Sequence, residues 1–401
     1  MLVHFSFKNF MSYKDETEFD FQAVAIPEFS DSLITIEKAT PLLPVGVVYG
    51  PNGGGKTNLL HALACLVNIV VKPIVNMEKN REPFVFQENI PYIPFMLDDE
   101  SRNNSTEFQI YFRKNGNEYR YYIELLKSEI ISESLYWRAI GGKRTGTVFE
   151  REKADITLGA SLRKNRINTQ VNPKMPFLSF LAINYDIPVI NEVGNWFESC
   201  ITRNYTIPQE NYSTYTINED NTKKIFIQAL NDMDIDIVDY RFDKEEKQLY
   251  LKRKVNVKYY ELPISVESDG TKKLLNVLPV IIIALLKGRL VIVDELDAKL
   301  HPKLLRYIIK LFKDPELNCE HAQLLFTSHD LTTMRNTVFR RDEIWFAAID
   351  DNHSSKIYSL YDLRDEHGNH INNTAAFDKQ YLEGKYGADP YLQNMLRGDW
   401  S

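Results

Sequence analysis

The sequence is poor in cysteine, with three in 401 residues. Cys65, Cys200 and Cys319 lie far apart, and none has Cys-x-x-Cys spacing. Neither a zinc cluster nor a disulfide framework is indicated, and reduced thiols suit a cytoplasmic protein. Long apolar runs are also lacking. The longest, 277–286, contains Pro279 and ends at Lys287. A run that short cannot span roughly 30 Å of hydrocarbon as a helix, so no membrane partner is expected. The opening MLVHFSFKNFMSYKDE has no basic segment leading into an apolar core, so it does not read as a signal peptide. Positive charge is not in excess either. Lys and Arg number 48 against 55 Asp and Glu, a net charge of −7. A broad basic surface for nucleic acid is therefore not the default, although a local patch remains open. Internal repeats, low-complexity tracts and sustained heptads are absent. What is present is globular in kind: 44% apolar and 26% charged residues exclude a disordered or collagen-like chain. The length suits two or three lobes.

Hydropathy periodicity divides the chain. HFSFKNF alternates as a half-buried strand does, Phe19 and Phe21 suggest a second, and 45–49 is a β-rich run. A helix is expected from Thr57 to about Val70. EFQIYF and YRYYIEL flank Asn115-Gly116, a strong hairpin signal, and further strands to 151 give an antiparallel meander. From 174 to 232 the pattern is helical, with a polar, loose stretch at 209–221. DIDIVDYRF and QLYLKRKV read as a hairpin. After 262, helices and β-rich runs alternate, which predicts a parallel sheet with helices on its faces.

Residues 50–57, GPNGGGKT, match G-x-x-x-x-G-K-[ST] between a strand and a helix. Glycines let backbone N–H groups turn inward on phosphate oxygens, and the helix N-terminus adds partial positive charge. Lys56 would neutralise the β- and γ-phosphates, and the Thr57 hydroxyl would bind Mg²⁺. LVIVDE is an apolar strand ending in Asp294 and Glu295. Asp294 would hold Mg²⁺, and Glu295 would orient or deprotonate an attacking water. The loop and this strand lie far apart in sequence, so a large insertion splits the nucleotide core. The stretch 265–271 reads equally as an anion cradle built on Ser268 and Gly270 or as an ordinary N-cap. His329, at the end of the strand QLLFT, either reaches a γ-phosphate or is an idle loop histidine.

In this order the motifs resemble the ABC-type ATPase superfamily. GPNGGGKT is similar to its Walker A loop, ESDGT to a degenerate signature, LVIVDE to Walker B, LDAKLHP to the D-loop and TSHD to the switch histidine. Within the superfamily the chain resembles the soluble RecF, SMC and OLD branch, and most of all the RloA-type ATPases of bacterial anti-phage defence loci. The opening SFKNFMSYKDETEFDF, the middle PFMLDDESRNNSTEFQIYF and the tail YLEGKYGADPYL take part in the likeness.

This resemblance implies an α/β P-loop NTPase head of the ABC type. It would carry an antiparallel β-subdomain and a helical lid, and no long coiled coil. The lobes would be 1–170, 171–250 and 251–401. Gly50, Pro51, Asn52, Gly53, Gly54, Gly55, Lys56, Thr57 and Asn58 would bind ATP. Glu295, His329 and Lys56 would be catalytic, and Thr57 and Asp294 would hold Mg²⁺. Ser268 and Gly270 would act in trans on ATP held by a second copy, making a homodimer or higher homo-oligomer. Hydrolysis would be slow and regulatory, acting on a separately encoded effector, suspected to be a Toprim-like nuclease, because no nuclease segment is recognisable before Ser401. The alternative is a RecF-like ATPase contacting DNA through the basic stretch 247–258. The Q-loop is unclear, with Gln87 a guess. Pro279 predicts a kink in the helix after the signature. Docking surfaces are expected at 174–232 and 362–401, unless these merely cover the sheet.

Overall fold

The computed structural model describes residues 1–77, 92–163, 166–204, 220–246 and 248–388. The chain opens with β1 (Leu2–Lys8), β2 (Thr17–Asp20), β3 (Val45–Tyr49) and α1 (Lys56–Met77). Five strands follow: β4 (Thr106–Lys114), β5 (Asn117–Leu126), β6 (Glu129–Ala139), β7 (Gly146–Glu152) and β8 (Asp155–Leu158). Next come α2 (Phe177–Asn184), α3 (Pro188–Ser199), β9 (Ile201–Asn204) and α4 (Asp220–Asp232). The hairpin region holds β10 (Asp239–Asp243), β11 (Gln248–Val255) and β12 (Lys258–Pro263). The last part contains α5 (Asp269–Lys287), β13 (Leu290–Asp294), α6 (Pro302–Lys313), β14 (Gln323–Thr327), β15 (Ile344–Ile349), β16 (Ser355–Ser359) and α7 (Phe377–Leu382).

Among the described residues these strands form three sheets. An antiparallel sheet runs β2-β1-β4-β5-β6-β7-β8. Its β4–β5 turn places Asn115 and Gly116 at φ +45° and +78°, the pair of left-handed residues that a two-residue hairpin turn needs. A small sheet runs β10-β11-β12. The third sheet runs β16-β15-β3-β14-β13-β9, parallel except for the antiparallel edge strand β16. The fold is α/β, as the alternation after 262 predicts.

Period-2 alternation divides the core in two. Val47, Tyr49, Val291, Val293, Phe326 and Phe346 face one cluster, packed against α4, α5, α6 and the tail. Val48, Leu290, Ile292, Leu325, Trp345 and Ala347 face the other, packed against α1, α2, α3 and the antiparallel sheet. A sheet covered on both faces needs strands apolar at every position, which is why these runs read as uninterrupted hydrophobic segments.

The stretch expected to hold the lid contributes to this core. Phe177, Leu178, Leu181, Ile190, Val193, Trp196 and Phe197 are buried in the second cluster. Their apolar faces pack α2 and α3 against α1 and the antiparallel sheet. Phe377, Tyr381, Tyr386 and Ala388 of the tail likewise bury against the sheet, with the Tyr381 ring stacked 5.7 Å from Phe346. In both expected docking stretches most of the described apolar residues are core, while Ile225 and Leu382 are exposed. Gln87, residues 209–221 and the end of the tail lie outside the described residues. α5 continues in one piece through Pro279. Periodicity overlooked β8, β9, β12, β16 and α7. Among the described helices, α1 alone is long and apolar enough to cross a membrane by length and composition. Here Leu59, Leu63, Leu66, Val67 and Val70 lie buried in the second cluster.

Candidate functional site

The carboxyl ends of β3, β14 and β13 lie side by side, and the loops leaving them meet in one cleft. Ligand crevices of open α/β sheets form there. The glycine loop leaves β3 at Gly50, whose φ of +150° and surroundings both demand glycine. A Cβ there would stand 2.2 Å from the Ala347 carbonyl oxygen of β15. Gly55, at φ +104°, would meet Ser355 Oγ of β16 at 2.3 Å. Beneath the loop, the Tyr13 hydroxyl donates to the Gly55 carbonyl at 3.2 Å. Asn58 Nδ2 and Ser355 Oγ each donate to Ser12 Oγ at 2.8 Å. Elements from both ends of the chain therefore mould the loop.

The Lys56 ammonium donates to the carbonyls of Gly50 and Pro51 at 2.8 and 3.0 Å. Burial lowers its pKa, against the opposing pull of Asp294, Glu295 and Asp297. An anion in the loop would offset that desolvation. The Thr57 hydroxyl donates to Asp294 Oδ2 at 2.9 Å, across 237 positions of sequence. The other Asp294 oxygen accepts from the Thr327 hydroxyl at 2.6 Å. Thr327 Oγ1 in turn accepts the Glu295 amide at 2.7 Å. One hydroxyl thus orients both acids. Glu295 sits in the left-handed region at φ +49°, and its carbonyl accepts from Lys273 Nζ at 3.1 Å. Burial lowers the Lys273 pKa to about 8.

His329 enters from β14. Its amide donates to Asp297 Oδ2 at 3.0 Å, while Asp297 Oδ1 is buried without a partner among the described residues. Its side chain joins residues 51–58, Asp294 and Glu295 around a cleft of about 310 Å³. The Gly50 carbonyl anchors Lys56 from behind. Ser268 and Gly270 do not line this cleft. Ser268 caps α5, accepting from the Thr271 amide at 3.2 Å with its side chain exposed. Beside it, Asp269 pairs with Lys299 at 3.0 Å. A larger cavity of about 620 Å³ between β2 and β16 is lined by Glu16, Glu18, Asp20 and Asp342, and that acidity disfavours a triphosphate.

Thr57 Oγ1 and Asp294 Oδ2 are hard oxygen donors brought together at a strand end and a helix start. They fit Mg²⁺, which is held by one or two protein oxygens plus phosphates and waters. No cluster of three or more His, Cys, Asp or Glu that could cage a metal occurs among the described residues. Thr327 and Lys273 were not singled out from the sequence. A threonine closing an apolar strand and the second of two adjacent lysines carry no local signal.

A family model described as "AAA domain, putative AbiEii toxin, Type IV TA system" matches residues 46–335. No curated protein matches the chain. Among solved structures, it is similar to the SMC head domain from Thermotoga maritima. Identity is 16% and the TM-score 0.45, over 89% of this chain and 98% of that one.

Proposed function

The chain belongs to this AAA-domain family of ATPases, and on that premise we propose that the cleft binds Mg-ATP and hydrolyses it as a regulatory switch. The observation that carries the reading is the Thr57–Asp294–Thr327–Glu295 chain of hydrogen bonds. It gathers a helix N-terminal hydroxyl, a metal-binding acid and a candidate base around the glycine loop. The loop's N–H groups and Lys56 hold the triphosphate. Thr57 and Asp294 hold Mg²⁺, which neutralises charge on the β- and γ-phosphates when bound. Glu295 takes the proton of a water as its oxygen attacks the γ-phosphorus and the bond to ADP breaks. His329 donates a hydrogen bond to the γ-phosphate.

The exposed Ser268 turn is half of a site. In a homodimer, Ser268 and Gly270 of one copy cap the ATP held by the other, and hydrolysis releases the pair. The switch controls a separately encoded effector in the cytoplasm, a nuclease by preference, in anti-phage defence of the RloA type. The toxin system named in the family description and the sequence resemblance support that setting. Isothermal titration with Mg-ATP tests the core of this reading, and absence of binding heat ends it. Co-purification with the product of the neighbouring reading frame tests the effector.

One observation favours a second reading. On the β10–β12 sheet, Lys252 and Lys254 lie 5.1 and 6.0 Å from the exposed Tyr259 ring. Lysines with aromatic rings suit a nucleic-acid strand. DNA binding that requires ATP and weakens with salt favours a RecF-like role.

A further inference from the structure

Glu295 is held from both sides of its peptide. Its amide is fixed by Thr327 of β14, and its carbonyl by the ammonium of Lys273, one turn into α5. Between these anchors the residue adopts φ +49°, a conformation disfavoured for any side chain with a Cβ. Such a conformation persists only where the surroundings over-determine it. Lys273 is 7% exposed, a costly place for an ammonium unless it is paired. A lysine placed there solely to fill space could be replaced by an apolar side chain of similar length.

We propose that Lys273 is a positioning residue. It holds the Glu295 carbonyl, and thereby the left-handed backbone that aims the Glu295 carboxylate at the water beside the γ-phosphate. The proposal rests on reading the cleft as an ATP-hydrolysing site. Lys273 also stands five positions after Ser268 on the same helix, and Asp269 pairs with Lys299, four positions past Glu295. α5 and the 295–299 turn are therefore clasped at two points. The helix that presents the exposed Ser268 turn is also the helix that sets the base of its own chain.

The experiment compares wild type, Lys273→Met and Lys273→Gln. Methionine keeps length and removes the donor, while glutamine keeps a shorter donor. Mg-ATP affinity is measured by isothermal titration, kcat by steady-state phosphate release, and folding by circular dichroism. The expected result for Lys273→Met is ATP affinity within about twofold of wild type and a kcat lower by on the order of 10- to 100-fold, the scale of a misplaced reacting group. Lys273→Gln is expected to recover part of that loss. A folded Lys273→Met protein with wild-type kcat overturns the proposal while the ATPase reading stands. Loss of fold in both variants also overturns it, since Lys273 would then be structural. A wild-type protein that neither binds nor hydrolyses ATP removes the ATPase reading and this proposal together.

Discussion

Residues 50–57 and 265–271 are built to the same plan, a glycine-bearing turn at the start of a long, apolar helix. They differ in their surroundings. A Cβ on Gly50 or Gly55 would meet β15 or β16 at 2.2 or 2.3 Å. A Cβ on Gly270 would stand 3.3 Å from the nearest atom, the Lys299 carbonyl oxygen. Gly50 and Gly55 have positive φ, and Gly270 does not. The first turn is finished by its own chain. The second is a satisfied cap whose hydroxyl faces solvent, so any ligand role must be completed by something arriving from outside. A shared local plan thus has different consequences according to what tertiary structure places behind it.

The comparison can be broken in several ways. The largest effect is expected at the finished half. Glu295→Gln should lower phosphate release by on the order of 10² to 10⁴, the span of a lost general base, while ATP binding persists. With Mg-ATP, light scattering should find this variant as a dimer. An elution unchanged by ATP would sink the clamp. Next comes Gly50→Ala, which should lose at least about 2 kcal/mol in denaturant titration, from steric clash and a strained φ. Gly270→Ala should lose less than about 1 kcal/mol, because its backbone is ordinary and the Lys299 carbonyl oxygen at 3.3 Å needs to give by only a few tenths of an ångström. Equal losses at the two glycines would erase the contrast.

Thr327→Val keeps the shape but leaves the part-buried Glu295 amide unpaired and removes the hydroxyl donor from the buried Asp294 Oδ1, at about 1–3 kcal/mol of stability. Phosphate release should fall along with it. Ser268→Ala should cost about 1 kcal/mol for a lost N-cap. Its diagnostic value lies in mixing. Lys56→Ala and Ser268→Ala proteins, each inactive alone, should regain activity together, because one intact composite site forms in the mixed dimer. If the Ser268→Ala protein hydrolyses ATP at the wild-type rate, the turn is only a cap.

The central architecture was legible because its strands are buried on both faces. Runs such as LVIV and QLLFT are apolar at every position, and GPNGGGKT sits between a strand and a helix as the motif requires. The Asn115-Gly116 turn was legible because few residues tolerate two successive positive φ values. What was illegible depends on contacts distant in sequence. Ser12, Tyr13 and Ser355 beneath the loop are ordinary residues until β15 and β16 are folded against it. Thr327 acquires its task only because β14 pairs with β13, one step before Asp294. The packing of α2 and α3 was left open between a docking surface and a cover for the sheet, because an apolar helix face reads the same in both cases.

The order of strands in the parallel sheet also has a consequence during synthesis. β3 lies between β14 and β15, and the Leu43 carbonyl is bonded by Gln323, 280 positions later. At 5–20 residues per second, a ribosome needs roughly 15 to 60 s to supply those neighbours. Throughout that interval β3 lacks both of its sheet neighbours, and α1 lacks the parallel sheet on one of its sides. Nascent chains of this protein should therefore be clients of holding chaperones until the last third has emerged, and truncation before β14 should yield aggregates rather than a folded fragment.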